Sequence, residues 1–274
     1  MASRVWLVTG CSSGFGAAIA RAALAAGDAV VATARRTEAL DELRDAGAQP
    51  AALDVTDPAA VDRVVGDALA EHRRIDVLVN NAGIGAVGAV EELRLDELRT
   101  VFEVMFFGAV TLTKAVLPHM RERGAGTIVQ ISSMGGQVVY PGYGAYCATK
   151  FALEAFSEAL AAEGAPLGIR VVIVEPGAFR TGLMGGGMVR SRELDAYAPT
   201  AGATRQAAEA MDGTQQGDPA KAAAAILRAV DADEVPLHLA LGLDAVEAIR
   251  SKHERLAADL AAWEDVSRAT DFDA

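Results

Sequence analysis

The fold class legible in the sequence is α/β, a doubly wound parallel sheet, and three observations predict it. Short runs that are apolar almost throughout recur along the chain, beginning with V-W-L-V at residues 5–8 and A-V-V-A-T at 29–33, as strands buried on both faces require. Segments with helical spacing separate these runs, which is the rhythm of βαβ units. Gly10, Asp54, Asn81, Ser133 and Gly177 each lie just past the end of a run, and in open parallel sheets ligands bind beyond the carboxyl ends of the strands. At 274 residues the chain is long enough for one large core, so a single domain over 1–274 is expected.

The elements follow in order. The first strand ends in a turn holding Gly10, Gly14 and Gly16, and an Ala-rich helix over 15–26 follows, with Ile19 and Leu24 facing inward. A second strand at 29–33, a short helix at 38–46 and a third strand at 51–53 come next. Asp57 and Pro58 supply an N-cap and a first helical position for a helix reaching His72. A fourth strand at 76–80 runs into N-N-A-G, a long helix begins at Asp96 and ends near 118–123, and a fifth strand occupies 127–132. A helix over 146–163 precedes the sixth strand at 169–175, which Pro176 and Gly177 close.

Residues 182–217 break the rhythm with glycines at 185–187 and a polar, Ala-rich remainder. A stretch so long inside a compact domain reads as a lid over a substrate. A helix at 219–230 and a strand near 236–240 complete the pattern. Val246, Ile249, His253, Leu256, Leu260 and Trp263 then recur at three and four residues, giving an amphipathic helix over about 244–265. Its stripe is expected to dock on the body or on a sister subunit, being too short for a free coiled coil.

Composition removes several function classes. A net charge of −12 opposes nonspecific nucleic-acid binding, which is driven by basic residues on phosphates. Two cysteines, Cys11 and Cys147, and four scattered histidines form neither a disulfide framework nor a clustered metal site. The start lacks a charged and apolar leader pattern and no apolar run reaches spanning length, so a cytoplasmic protein without a membrane partner is expected.

Three features carry chemistry. The glycines at 10, 14 and 16 let backbone approach a pyrophosphate at a positive helix N-terminus, with the spacing G-x-x-x-G-x-G. Tyr146 and Lys150 lie four apart on one helix face, where an ammonium favours the phenolate and moves the tyrosine toward a working range for proton transfer. Ser133, at the end of the fifth strand, can donate a hydrogen bond to the carbonyl that Tyr146 protonates, although a turn-forming role is the plainer reading of a serine there.

T-G-C-S-S-G-F-G at 9–16, N-N-A-G at 80–83, I-S-S at 131–133, Y-C-A-T-K at 146–150 and P-G-A-F-R-T at 176–181 together resemble the ordered motif set of the classical short-chain dehydrogenases/reductases. The resemblance spans roughly residues 4–240. It implies a Rossmann-like fold, a nicotinamide cofactor and hydride exchange with a carbonyl or alcohol carbon. Tyr146 is then the general acid/base, Ser133 orients the substrate oxygen, and Lys150 lowers the tyrosine pKa and binds the nicotinamide ribose. Gly10, Ser12, Ser13, Gly14, Phe15 and Gly16 form the cofactor turn, Asp54 with Val55 meets the adenine, and Asn81, Ala82 and Gly83 line the cleft. Pro176, Gly177, Phe179 and Thr181 hold the carboxamide side. One position departs from the pattern: Met105 stands where the family carries an asparagine that holds a helix kink in the proton relay.

Cofactor choice is readable at the end of the second strand. Ala34, Arg35 and Arg36 stand there, with no acid before Glu38, which favours NADP over NAD with Arg35 as the phosphate ligand. The leading reading is an NADP-dependent oxidoreductase acting on a carbonyl or secondary alcohol. A second is a cofactor-binding regulator or interaction protein with weakened turnover, supported by Met105 alone; a third, non-redox use in epimerisation or dehydration, fits the glycine spacing and chain length poorly. The resemblance also implies a homodimer or homotetramer through the two long helices, with Ala152, Phe156 and Leu160 offering an apolar face that could equally be core. Tyr140, Tyr143, Phe179, Met184 and Met188 point to an apolar pocket for a lipophilic or aromatic carbonyl compound.

Overall fold

A computed structural model describes residues 3–183 and 188–272. Seven strands, β1 (Val5–Val8), β2 (Ala29–Ala34), β3 (Gln49–Ala52), β4 (Val77–Asn80), β5 (Gly126–Ile131), β6 (Ile169–Pro176) and β7 (His238–Leu241), form one sheet in the order β3-β2-β1-β4-β5-β6-β7. Every pairing in it is parallel.

Side chains of a strand point alternately to the two faces, and here both faces are covered. Trp6 and Val8 enter one apolar layer with Val30, Val129 and Val172. Leu7 enters the other with Val31, Leu78, Ile128 and Val171. The register makes these rows continuous, since Leu7 lies beside Val31 and Leu78, Leu78 beside Ile128, and Ile128 beside Val171. That is the physical reason for runs without polar alternation.

On the first face lie α1 (Gly14–Ala25) and α7 (Pro219–Asp231), contributing Ile19 and Ile226, with the short α2 (Asp41–Asp45) adding Leu43. On the second lie α3 (Pro58–His72), α4 (Leu95–Arg123) and α5 (Gly144–Gly164), contributing Val64, Leu112 and Leu160. Asp57 caps α3 by accepting from the Ala59 N–H at 3.0 Å, with Pro58 in the first turn. Leu160 belongs to the core and Phe156 packs edge-on to Phe106, so the α5 face expected as an alternative interface is largely internal. The large apolar side chains exposed on these two helices are Leu95, Phe107 and Phe151.

One expectation needs correction. At 29 residues α4 is long and apolar enough to cross a membrane, but Leu112, Val116 and Met120 bury one face of it against the sheet. Within the stretch read as a lid, Val189–Arg190 pairs with Ala86–Val87, and α6 (Ala203–Met211) follows. Buried Arg205 on α6 bonds the buried Glu92 carboxylate, which also accepts the N–H groups of Leu194 and Ala89. Burial works to raise the Glu92 carboxyl, and these partners nevertheless hold it below its ordinary value. The expected glycine run 185–187 and Met184 lie outside the described residues. A last helix, α8 (Leu243–Arg268), closes the chain.

Candidate active site

The order β2-β1-β4 reverses the direction of winding between β1 and β4, and a crevice at the strand carboxyl ends follows from that reversal. A cleft of about 800 Å³ opens there. Of the residues singled out in the sequence, Gly10, Ser12, Ser13, Gly14, Phe15, Arg35, Asp54, Val55, Asn81, Ala82 and Gly83 line it along the N-terminal half of the sheet. Ser133, Tyr146, Lys150, Pro176, Gly177, Phe179 and Thr181 line the rest. Gly16 lies behind the wall, where a Cβ would sit 2.4 Å from the Gly10 carbonyl oxygen, so this glycine sets how closely α1 approaches the turn. Tyr140, Tyr143 and Met188 are not in the wall.

The glycine turn is built to expose backbone. Gly10 and Gly14 have φ of +68° and +57°, left-handed values that side chains disfavour. A Cβ on Gly14 would also meet Thr181 at 3.0 Å. The first turn of α1 holds no acid and Ser13 makes no side-chain cap, so the positive helix end faces the cleft uncompensated. Asn81 braces the turn from β4: its Nδ2 donates to the carbonyls of Thr9 at 2.7 Å and Gly10 at 3.1 Å. These donors and this open cradle fit the pyrophosphate of a dinucleotide.

At the adenosine end, Asp54 is held low by hydrogen bonds from the Thr56 N–H and hydroxyl at 3.0 and 2.7 Å. Arg35 lies exposed in the cleft wall and, among the described residues, makes no ion pair. Its charge acts on Asp54 across the cleft, and its guanidinium stays open to an anion.

At the opposite end, Lys150 is buried and its ammonium donates to the Ile131 carbonyl at 2.8 Å, while lying 5.8 Å from the centre of the Tyr146 ring. Burial pulls this lysine down to about 8, opposed by Glu154. Burial pushes the Tyr146 phenol up to about 12, opposed by its hydrogen bond with Ser133. The expected lowering of the tyrosine is thus absent from the protein alone, because desolvation outweighs the Ser133 hydrogen bond while the Lys150 ammonium is turned to a carbonyl. Ser133 accepts the Gly135 N–H at 3.0 Å and reaches the Pro176 carbonyl at 3.5 Å. Serine hydroxyl, phenol and ammonium thereby share one pocket wall.

Met105 is buried in a π-helical turn over Glu103–Phe107 in the middle of α4, its sulfur facing Gly83. A kink at this point is thus present without the family's asparagine. π-turns insert a residue into a helix and frequently sit at functional sites.

Sequence reading missed a charged group directly behind the site. Ser132 donates to Glu154 at 2.5 Å, Gln137 donates to both Glu154 and Glu175, and His238 pairs with Glu175 at 2.7 Å. Burial pushes the Glu154 carboxyl up to about 7, with Glu175 adding to the push and Ser132, His238 and Gln137 opposing it. The position of Glu154, one turn after Lys150, was the single available signal. Asp244 at the start of α8 was also missed; it accepts the Ala178 N–H at 2.7 Å and fills the space where a Cβ on Gly177 would stand. Gln215 lines the cleft with its side-chain oxygen buried and without a partner.

The geometry defines a dinucleotide-dependent oxidoreductase class, and comparison with known proteins gives the family. The short chain dehydrogenase family profile matches residues 4–187. Oxidoreductase BOA17 of Botryotinia fuckeliana is 38% identical over 272 residues, covering 98% of this chain and 99% of that protein. The crystal structure of a short-chain dehydrogenase from Streptomyces avermitilis is 56% identical, with a TM-score of 0.94 over 99% of this chain and 100% of that one. Solved relatives at lower identity hold either NADP-type or NAD-type cofactors. Among them, an alcohol dehydrogenase from Thermococcus sibiricus with 5-hydroxy-NADP is 26% identical, with a TM-score of 0.72 over 87% of this chain and 96% of that one. The chain belongs to the short-chain dehydrogenase/reductase family and is an oxidoreductase using a nicotinamide cofactor.

Proposed function

We propose that this protein is an NADP-dependent reductase of apolar ketones or aldehydes, with Tyr146 as proton donor. The observation that carries the reading is the juxtaposition of Ser133, Tyr146 and Lys150 at one end of a cleft whose other end presents an unpaired Arg35. When bound, NADPH supplies the hydride that reduces the carbonyl carbon. Tyr146 gives its proton to the carbonyl oxygen, Ser133 donates a hydrogen bond to that oxygen, and the product is an alcohol. Reduction, the direction we propose, consumes the proton that a phenol carries at neutral pH. Phe15, Ile84, Met105, Phe179 and Leu183 give the wall apolar surface for a lipophilic substrate.

In this reading residues 188–217 act as a lid, tied down by the Glu92–Arg205 pair, and subunits associate through α4 and α5, where Phe107 and Phe151 are exposed. The test is consumption of NADPH, and separately of NADH, on aliphatic, aromatic and steroid-like carbonyl compounds, with Tyr146→Phe as control. NADPH-preferring turnover lost in the control supports the assignment; tight NADPH binding without turnover on any compound favours a cofactor-binding regulator. Arg35→Ala should raise the NADPH KM by roughly tenfold or more, the scale of one charge-assisted phosphate contact, and leave NADH nearly unchanged. Equal losses for both cofactors refute the NADP assignment.

A further inference from the structure

Among the described residues, the second half of α8 has nothing to pack on in a single chain. Its first turns seat on the body through buried Ala245 and partly buried Val246, Ala248 and Ile249, but every residue from His253 to Phe272 is exposed. Leu256, Leu260 and Trp263 continue the three-and-four spacing of the seated part onto this free segment, with relative exposures of 50%, 68% and 65%. Sixteen residues, His253 to Arg268, project as helix, a length of about 24 Å. An isolated helix of that length is marginal in water, and a contiguous exposed apolar stripe on a rigid element marks an interaction site.

Charge selects the occupant. The part nearer the body carries Arg250, Lys252 and Arg255 against Glu247 and Glu254. The distal part is mainly acidic, with Asp259, Glu264, Asp265 and Asp271 against Arg268, which is already paired to Glu264. A second copy laid antiparallel brings each basic part onto the other's acidic part, twice by symmetry, while the apolar stripe meets itself. Laid parallel, like charges would face each other. Such self-complementarity is what a two-fold, isologous contact requires.

We propose that the stretch of α8 from Arg250 onward pairs antiparallel with the same stretch of a second copy of this chain. This contact is separate from association through α4 and α5, and the two surfaces would each double the mass of the assembly.

The test is the mass of the full-length protein by sedimentation, compared with Leu260→Glu/Trp263→Glu. Both side chains are exposed, so the variant should keep its melting temperature at the lowest concentration and show half the wild-type mass. Two charge-reversed variants check the orientation: Arg250→Glu/Lys252→Glu/Arg255→Glu turns the part nearer the body acidic, and Asp259→Lys/Glu264→Lys/Asp265→Lys turns the distal part basic. Each alone should fall to half mass, and their mixture should return to the wild-type value. Equal masses for wild type and the apolar variant overturn the proposal, as does a wild-type mass unchanged by either charge reversal. Loss of wild-type binding to anionic phospholipid vesicles in the apolar variant, with no change in mass, would assign the stripe to a lipid surface instead.

Discussion

Two polar clusters are buried on adjoining strands of the same sheet, and they solve the problem of burial differently. In the first, Asn80 on β4 donates to Gln130 on β5 at 3.0 Å, and to Thr113 at 3.0 Å and the Ala109 carbonyl at 3.2 Å on α4. Every member is neutral, and Asn80 lies beside Gln130 in the strand register, its Nδ2 donating while its Oδ1 finds no partner among the described residues. In the second, Glu154 and Glu175, each almost fully buried, converge with His238, their ligand-type atoms lying within 4.8 Å of one another. Here burial is reconciled by a proton rather than by geometry. The neutral cluster pins a helix to the sheet at any pH, whereas the charged one places a titration beside Ser133 and Lys150.

Exchanging the two solutions should have the largest effect. Asn80→Asp puts a carboxylate where the Ala109 carbonyl and the Gln130 side-chain oxygen both expect a donor. A loss of about 3–5 kcal/mol at neutral pH is expected in chemical denaturation, partly recovered in acid as the carboxyl takes a proton. A stability unchanged at neutral pH would show that the neutral cluster tolerates charge and would erase the contrast.

The reverse exchange, Glu154→Gln, supplies the neutral form permanently. Glu154 titrates at 4.5 in an ordinary setting and near 7 in the fold. Between those values the native state keeps a proton that the unfolded chain has lost, so its contribution is fully present below 4.5 and declines as pH rises through 7. The span corresponds to about 3 kcal/mol. Stability of Glu154→Gln measured against pH should lose this slope, and a slope identical to wild type would refute the assigned titration.

Gly136→Ala tests the link from the charged cluster to the catalytic wall. A Cβ there would lie 1.9 Å from Glu154 Oε1 and 2.6 Å from Ser132 Oγ, so the carboxylate must move. Turnover should fall roughly tenfold, on the scale of misplaced catalytic geometry, while NADPH affinity holds. An unchanged kcat would uncouple the cluster from Ser133. The smallest effect is expected from Met105→Asn, which adds a neutral amide at the π-turn; because the kink is already present, turnover should rise by only about twofold or threefold, on the scale of one neutral hydrogen bond. A fall would show that Met105 packs better than the amide binds.

How much was legible follows from which interactions are local. Apolar runs and helical spacing announced the βαβ rhythm, because strand burial on two faces and helix burial on one leave different periods in the residues themselves. The glycine turn, N-N-A-G, Ser133 and the Tyr146–Lys150 pair were legible as motifs, since each keeps its residue types at short fixed spacings. Helix α6 was not legible: its Arg205 is matched by Glu92, 113 positions distant. Nor was the raised Tyr146 phenol, because sequence shows that a lysine lies one turn away but not that its ammonium turns to the Ile131 carbonyl.

The sequence by itself determined the α/β class, the places where strands end, and which motif residues line one cleft. Only the tertiary structure decided which carboxylates lose their water, that the first turn of α8 pins the Ala178 loop through Asp244, and that the distal half of that helix is left without a partner. Periodicity is written in adjacent residues, whereas desolvation and pairing arise between segments that chain folding alone brings together.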